Sequence, residues 1–286
     1  MIFCFTGNGN SRLVAEELQR RLYSPDDPTR QLYMLEADRL IHPSKQLLEA
    51  VDNELILWVF PIYSWGVPPV VLRFIDKVKY KGAEHARHFM VCTCGDDIGR
   101  ADDQWREHIG HRSWIPRGAF SVTMPNTYVC MKGFDVDAPD IADGKLAAMP
   151  KRLEAIKMDI ERGFSESDVT RGKYAWWKTN LVYTLFRAFK MSPLPFGCDG
   201  TKCTSCGLCA RSCPMLNITM KDGHPQWGPR CAMCLRCYHQ CPTHAIFYGK
   251  ATEGKGQYRA PASNLLFITA NDAAAIYRAP ISRGSV

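Results

Sequence analysis

The sequence predicts an α/β protein: a doubly wound parallel sheet with helices on both faces, followed by a small α+β domain. Three observations predict it. Apolar strand runs alternate with helical patterns over about the first 165 residues, which builds a parallel sheet through crossover helices. An aromatic-dense stretch follows at 166–196, and nine of the 13 cysteines then fall between Cys198 and Cys241. The composition, 46% hydrophobic and 23% charged, is that of a globular chain. Its 286 residues suffice for one large domain or two smaller ones. No run of about eighteen apolar residues is present, so no membrane-spanning helix is expected. The start, MIFCFTGNGNS, has neither a basic lead nor a cleavage site and reads as a strand entering a loop. A cytoplasmic location is therefore expected, where 13 thiols are ligands more readily than disulfides.

The elements follow in order. Residues 2–5 are apolar, and Arg12 to Leu22 has helical spacing, with Leu13, Leu18 and Leu22 inward. Gln31 to Leu35 is a second strand. Glu54 to Phe60, ELILWVF, is the continuous apolar run that a parallel sheet buries on both faces. A helix from Val67 to Lys79 tolerates Pro68 and Pro69 in its first turn. His88 to Thr93 is a strand, DDIGRADDQWREHIG an amphipathic helix, Gly118 to Met124 a strand, and Lys145 to Arg162 a closing helix. The expected units are thus 1–165, a connecting helix at 166–196, a cysteine-rich unit at 197–258, and an extension at 259–286 whose role is a strap or a tail. In the connecting helix, Tyr174, Trp176, Trp177, Tyr183, Phe186 and Phe189 are expected to fill the gap between domains. The same basic, amphipathic stretch, 173–190, also suits a membrane surface or a partner.

Cys203, Cys206, Cys209 and Cys213 form C-x-x-C-x-x-C-x-x-x-C before Pro214, and Cys231, Cys234, Cys237 and Cys241 repeat it before Pro242. Each pair is offset by 28, so the region is an internal duplication. Three thiolates on a tight loop suit three corners of a cubane, and in this pattern the fourth cysteine ligates the other cluster. One [4Fe–4S] cluster then takes Cys203, Cys206, Cys209 and Cys241; the other takes Cys231, Cys234, Cys237 and Cys213. Zinc sites close paired C-x-x-C units with a second pair or histidines, and fit this spacing poorly. Residues 198–249 resemble a bacterial two-cluster ferredoxin. Cys198 lies outside the pattern, and His239 and His244 beside the second run are expected to be solvated or bonded to backbone.

Thr6, Gly7, Asn8, Gly9, Asn10 and Ser11 follow the first strand and open a helix, where hydroxyls, amides and backbone N–H groups make an anion site. The loop is neither G-x-G-x-x-G nor a Walker loop, which leaves a site for one monophosphate or a tight structural turn between strand and helix. Pro61, Ile62, Tyr63, Ser64, Trp65 and Gly66 follow the third strand, and Thr93, Cys94, Gly95, Asp96 and Asp97 the fourth. In a doubly wound sheet the three loops meet at the carboxyl edge. There Tyr63 or Trp65 offers a stacking face. Cys92 and Cys94 are two apart, not a C-x-x-C redox pair; Cys92 is expected in the core and Cys94 in the loop. The arrangement resembles flavodoxin over residues 1–163, which implies strand order 2-1-3-4-5 and bound FMN. Asn8 and Ser11 depart from the usual flavodoxin loop but keep hydrogen-bonding capacity.

The chain also resembles flavodoxin–ferredoxin fusion proteins of anaerobes, through FTGNGNS, FPIYSWGVPP, TCGDD, MPNTYV, GFDVD, the duplicated cysteines and YGKATEGKGQY. That resemblance implies an electron-transfer protein joining a redox protein donor to an acceptor through clusters and FMN. No nicotinamide fingerprint or hydrolytic triad is visible, and no catalytic residue is assigned. An alternative is a flavin-dependent reductase of a quinone or enoate, with a pocket formed by Tyr63, Trp65, Asn126 and Tyr128. Bound cofactors lower the formal +7 to about +1, so no nucleic-acid partner is expected.

Overall fold

The computed structural model describes residues 1–261. Its central sheet is built from β1 (Ile2–Cys4), β2 (Leu32–Met34), β3 (Leu55–Pro61), β4 (Arg87–Cys94), β5 (Ile115–Thr123) and β6 (Ser167–Asp168). The spatial order is β2-β1-β3-β4-β5-β6, and every pairing is parallel. The crossovers are α1 (Asn10–Leu22), α2 (Pro69–Lys77), α3 (Ala101–His111) and α4 (Pro139–Glu161).

Side chains on a strand alternate between faces, and here both faces are buried. Phe3, Phe5, Trp58, Phe60 and Met90 point to one side, where Val71, Phe74 and Ile75 of α2 and Trp105 and Ile109 of α3 cover them. Ile2, Cys4, Leu57, Val59 and Val91 point to the other, under Leu13, Val14 and Leu18 of α1 and Leu153, Ile156 and Ile160 of α4. The run ELILWVF lies at the centre of this arrangement, which is why it carries no polar residue after Glu54.

Several boundaries differ from the sequence reading; α3 begins at Ala101 rather than Asp96, and β5 at Ile115 rather than Gly118. α4 begins at Pro139 rather than Lys145, because proline at the first helical position surrenders only an amide that has no helical partner. α2 stops at Lys77, since Lys79–Lys81 leaves as a strand pairing with Leu47–Glu49. The sheet gains a sixth strand, β6, at its edge beyond β5.

Residues 175–189 are helical, with a π stretch at Lys178–Val182. Only part of the aromatic set is inward. Tyr183 and Phe186 are buried, whereas Tyr174, Trp176, Trp177 and Phe189 are exposed, which corrects the expectation that all six fill a gap. The chain enters this helix clamped: Arg171 donates to both carboxylate oxygens of the fully buried Asp102, at 2.9 and 2.6 Å.

The cysteine-rich unit repeats in backbone what it repeats in sequence. Phe196–Cys198 pairs antiparallel with Ile246–Tyr248, and Ile218–Lys221 with His224–Trp227. The helices Leu208–Arg211 and Arg236–Gln240 start 28 residues apart. The left-handed residues Ser205, Gly207 and Leu216 recur as Met233, Leu235 and His244, each again 28 later. Among the described residues no helix is long and apolar enough to cross a membrane. Most of the 259–286 extension lies outside the described residues.

Two outcomes are expected. His88 is buried between Trp58 and Trp114, accepts from Trp58 Nε1 at 3.1 Å and contacts the Ala83 carbonyl at 2.8 Å. Burial lowers its pKa to about 4. The unfolded chain therefore takes up a proton near pH 6.5 that the fold refuses until about pH 4, so this stability is present above that window and lost as pH falls through it. Going from about pH 7 to about pH 5 should cost about 2 kcal/mol through this residue. His88→Gln should remove that part of the slope in urea titrations at the two pH values. Arg171→Ala strands the buried Asp102 charge and should cost about 3 kcal/mol, measured by the urea midpoint. Adding Asp102→Asn should recover part of it.

Candidate functional site

The loops after β1, β3 and β4 converge on one cavity at the carboxyl edge of the sheet. It is lined by Thr6–Asn8, Asn10 and Ser11, by residues 61–65, and by residues 93–97. Of the predicted residues in these loops, Gly9 and Gly66 do not line it. Both serve the backbone instead. Gly9 sits at φ 104° against Ala260, and a Cβ at Gly66 would fall 2.4 Å from the Tyr183 ring.

In the first loop the carbonyls turn outward. Those of Thr6 and Gly7 accept from Arg236 at 2.7 and 2.8 Å, that of Asn8 from the Ala260 amide at 3.0 Å, and that of Gly9 from Leu13 at 2.9 Å. The amides of Asn10, Ser11 and Arg12 precede this first helical bond, so they are the free donors that a helix N-terminus presents. The Asn8 side-chain oxygen is buried without a partner among the described residues. The loops are also tied to one another. Ser11 and Thr93 share a hydroxyl bond of 2.8 Å, and Asn10 Nδ2 donates to the Pro125 carbonyl at 2.9 Å.

The second loop is a tight turn. Tyr63 and Gly66 exchange both backbone bonds at 2.9 and 3.0 Å, and Ser64 and Trp65 between them take φ 45° and 65°. Two successive left-handed non-glycine residues cost energy that the surroundings must hold. Thr179 Oγ1 supplies part of that hold, donating to the Trp65 carbonyl at 2.7 Å, and the Lys178 ammonium lies 5.0 Å from the Trp65 ring centre. The Tyr63 hydroxyl is buried without a partner among the described residues, Tyr63 lines the cavity, and burial raises its hydroxyl far above the usual tyrosine range.

In the third loop Asp97 pairs with Lys178 at 2.6 Å, and Lys145 donates to the Gly95 carbonyl at 2.9 Å and to Asp137 at 2.7 Å. Burial, reinforced by Asp97 and Asp96, raises the Cys94 thiol to about 12. Cys92 is wholly in the core.

The rest of the wall was only partly anticipated. Asn126 and Tyr128 line the cavity, as the pocket reading expected, together with Met131, Phe134 and Phe186, which it did not name. Nor did it name Met233, Cys234 and Leu235, which bring the second cysteine loop onto the cavity. The Cys234 carbonyl is so close to Gly7 that a Cβ there would lie 2.6 Å from it.

The thiols fall into two groups that mix the two runs. Cys203, Cys206, Cys209 and Cys241 line one small cavity, and Cys198 lines it with them. Cys231, Cys234 and Cys237 each lie close enough to feel the charge of Cys213. Amides point at sulfur in both groups: Asn217 N to Cys213 at 3.4 Å, and Ala245 N, 28 residues on, to Cys241 at 3.2 Å. In the second group burial, then neighbouring thiols, raises Cys231 to about 12 and Cys237 well above its usual value. A cationic core is what lets such crowded thiols exist as thiolates. The groups differ in setting, since Cys206 is exposed while Cys213 and Cys234 pack against the core of the α/β unit. Cys198 has its sulfur within 4.8 Å of Cys203 and His224 ligand atoms. His239 is fully buried, not solvated: Tyr258 N donates to its Nδ1 at 3.1 Å, which leaves Nε2 to donate to the Thr127 carbonyl at 2.8 Å. His244 is exposed.

Comparison with known proteins bears on the second of these units. No curated protein matches the chain. Among solved structures it is similar to the Trp repressor binding protein from Bacillus subtilis, at 12% identity and a TM-score of 0.34, over 55% of this chain and 96% of that one. Residues 202–246 match the family described as 4Fe-4S dicluster domain. With the duplicated cysteines and their grouping, this part of the chain is a 4Fe–4S dicluster ferredoxin domain, a unit that binds iron–sulfur clusters and transfers electrons.

Proposed function

We propose that the chain carries electrons between two [4Fe–4S] clusters and an FMN held in the sheet-edge cavity, linking a low-potential donor protein to an acceptor. The observation that carries this reading is that Met233–Leu235, from the second cysteine loop, line the same cavity as the three loops after β1, β3 and β4. Flavin accepts one or two electrons and iron–sulfur clusters exchange one, which is the chemistry these groups supply when bound.

The residues suit such occupants. The α1 amides would hold a phosphate, joined by the donor end of the Asn8 side chain, Nδ2, rather than by its accepting oxygen, and Tyr63 and Trp65 would flank a ring. The strand order, in which the chain's first five sheet strands lie 2-1-3-4-5, supports a flavodoxin-like reading of the N-terminal unit. Cys213, Cys231, Cys234 and Cys237 would hold the cluster beside the cavity, and Cys203, Cys206, Cys209 and Cys241 the outer one. The outer set has its Cys206 exposed, which suits exchange with a donor protein.

A second reading, reduction of a quinone-type or enoate-type substrate, is favoured by the apolar wall of Met131, Phe134 and Phe186 across the same cavity. Steady turnover of such a compound with reduced ferredoxin as donor would select it.

Anaerobic reconstitution with iron, sulfide and FMN tests the main reading. Flavin bands should appear beside the cluster absorbance and bleach when a low-potential donor is added; a protein that takes up no FMN overturns it. Cys206→Ser should lose about half of the iron and keep its FMN, whereas full iron content in that variant rejects the ligand assignment. Asn8→Ala should weaken FMN binding about tenfold, measured by quenching of flavin fluorescence.

A further inference from the structure

The helix at 175–189 has two apolar faces, and among the described residues one of them has a partner and the other has none. Thr179, Tyr183 and Phe186 are buried against the α/β unit. On the other side Trp177, Leu181, Leu185 and Phe189 follow one another at intervals of four, all exposed, with Tyr174 and Trp176 at the near end. Tyr174 is 77% exposed and Phe189 74%. A contiguous apolar patch of this kind, in a region otherwise well packed, marks a surface that meets something.

The outward face is held outward. Arg171 anchors the entry to Asp102, and Lys178 pairs with Asp97 at 2.6 Å. Thr179 Oγ1 accepts from the Arg100 amide at 2.8 Å and donates to the Trp65 carbonyl, and the Tyr183 hydroxyl donates to the Val67 carbonyl. These contacts fix the helix's rotation, so the stripe cannot turn inward without breaking them.

Within the segment itself the charge is of one sign, and the acidic neighbours Asp97 and Asp102 are taken up by Lys178 and Arg171. No acidic residue occurs between Asp168 and Asp199, while Lys173, Lys178, Arg187 and Lys190 are all basic. Lys173 and Lys190 bracket the stripe, are exposed, and make no ion pair among the described residues. We propose that this face docks the chain onto an anionic lipid surface, the helix lying in the interfacial plane. Tryptophan and tyrosine on an apolar stripe, with lysines at its ends able to extend to headgroups, is the pattern of an interfacial helix. A protein partner fits less well, because lysine is depleted from protein–protein interfaces. The inference does not depend on which cofactors are bound. It does place the cavity near the lipid, since Phe186 on the inner face of the same helix is part of the cavity wall.

Flotation of the full chain with vesicles decides it. Vesicles of phosphatidylcholine with about one-third phosphatidylglycerol should carry the protein at about 0.1 M salt, and pure phosphatidylcholine should not. Leu181→Glu with Leu185→Glu, and separately Lys173→Glu with Lys190→Glu, should each weaken binding about tenfold or more, with circular dichroism unchanged. All four side chains are exposed, so the fold should tolerate both pairs. Absence of binding to the anionic vesicles overturns the proposal. So does binding that the leucine pair leaves unchanged, which would be adsorption by overall charge. Two further outcomes also overturn it. One is self-association that the leucine pair abolishes, which assigns the stripe to a second copy. The other is shielding of Trp176 and Trp177 from acrylamide without vesicles, which means another part of the protein already covers them.

Discussion

The guanidinium of Arg236 donates to the carbonyls of Thr6, Gly7 and Ser212, at 2.7, 2.8 and 2.9 Å. Thr6 and Gly7 belong to the loop after the first strand; Ser212 belongs to the first cysteine run and Arg236 to the second. One planar, always charged group with fixed donor directions thus joins three segments. Much else follows from it. With their carbonyls drawn to Arg236, the loop residues leave their amides for the cavity side. Arg236 opens the short helix after Leu235, so the loop of Met233 to Leu235 is drawn onto Gly7. Glycine at position 7 is then obligatory, since any side chain there would strike the Cys234 carbonyl.

The duplicated cysteine unit shows how one local pattern serves two settings. Its two halves share left-handed residues at the same places, but the first half uses Ser205 and Gly207 where the second uses Met233 and Leu235. Gly207 takes the left-handed conformation without steric penalty, while Leu235 does so at a cost of about 1–2 kcal/mol. The difference matches the surroundings. Gly207 lies beside the exposed Cys206, whereas Met233 and Leu235 are buried where the two units meet, and their apolar burial offsets the backbone strain.

Much of this was legible along the chain. The alternation of ELILWVF-like runs and amphipathic helices carries the sheet because burial on both faces leaves no polar positions. The cysteine spacing pointed to the grouping of the thiols, because a short loop brings its own three together and the fourth must come from the other run. The loops after β1, β3 and β4 were legible as a site because a parallel sheet brings its carboxyl ends to one edge. The remaining cavity wall was not. Phe186 lies in a run whose aromatics look alike in sequence, and only the rotation of that helix separates it from Phe189, which is exposed. For His239 the sequence left solvent or backbone as its partner, and the chain returning through Tyr258 selects backbone by burying it. Edge strand β6, two residues long, has no pattern of its own and exists because β5 offers it a partner.

Read along the chain alone, the residues already specify the sheet's buried strands and the eight thiols in two repeats, and they mark the loops that could hold an anion. These depend on periodicity and spacing, which are properties of short stretches. Which repeat faces the cavity is settled in three dimensions. That choice rests on contacts between residues some 230 positions apart, Arg236 with Thr6 and Gly7, and on a left-handed Leu235 that no local preference would select. Packing in three dimensions also leaves half of the aromatic helix outside, because four polar contacts on its inner face fix its rotation before hydrophobicity is consulted.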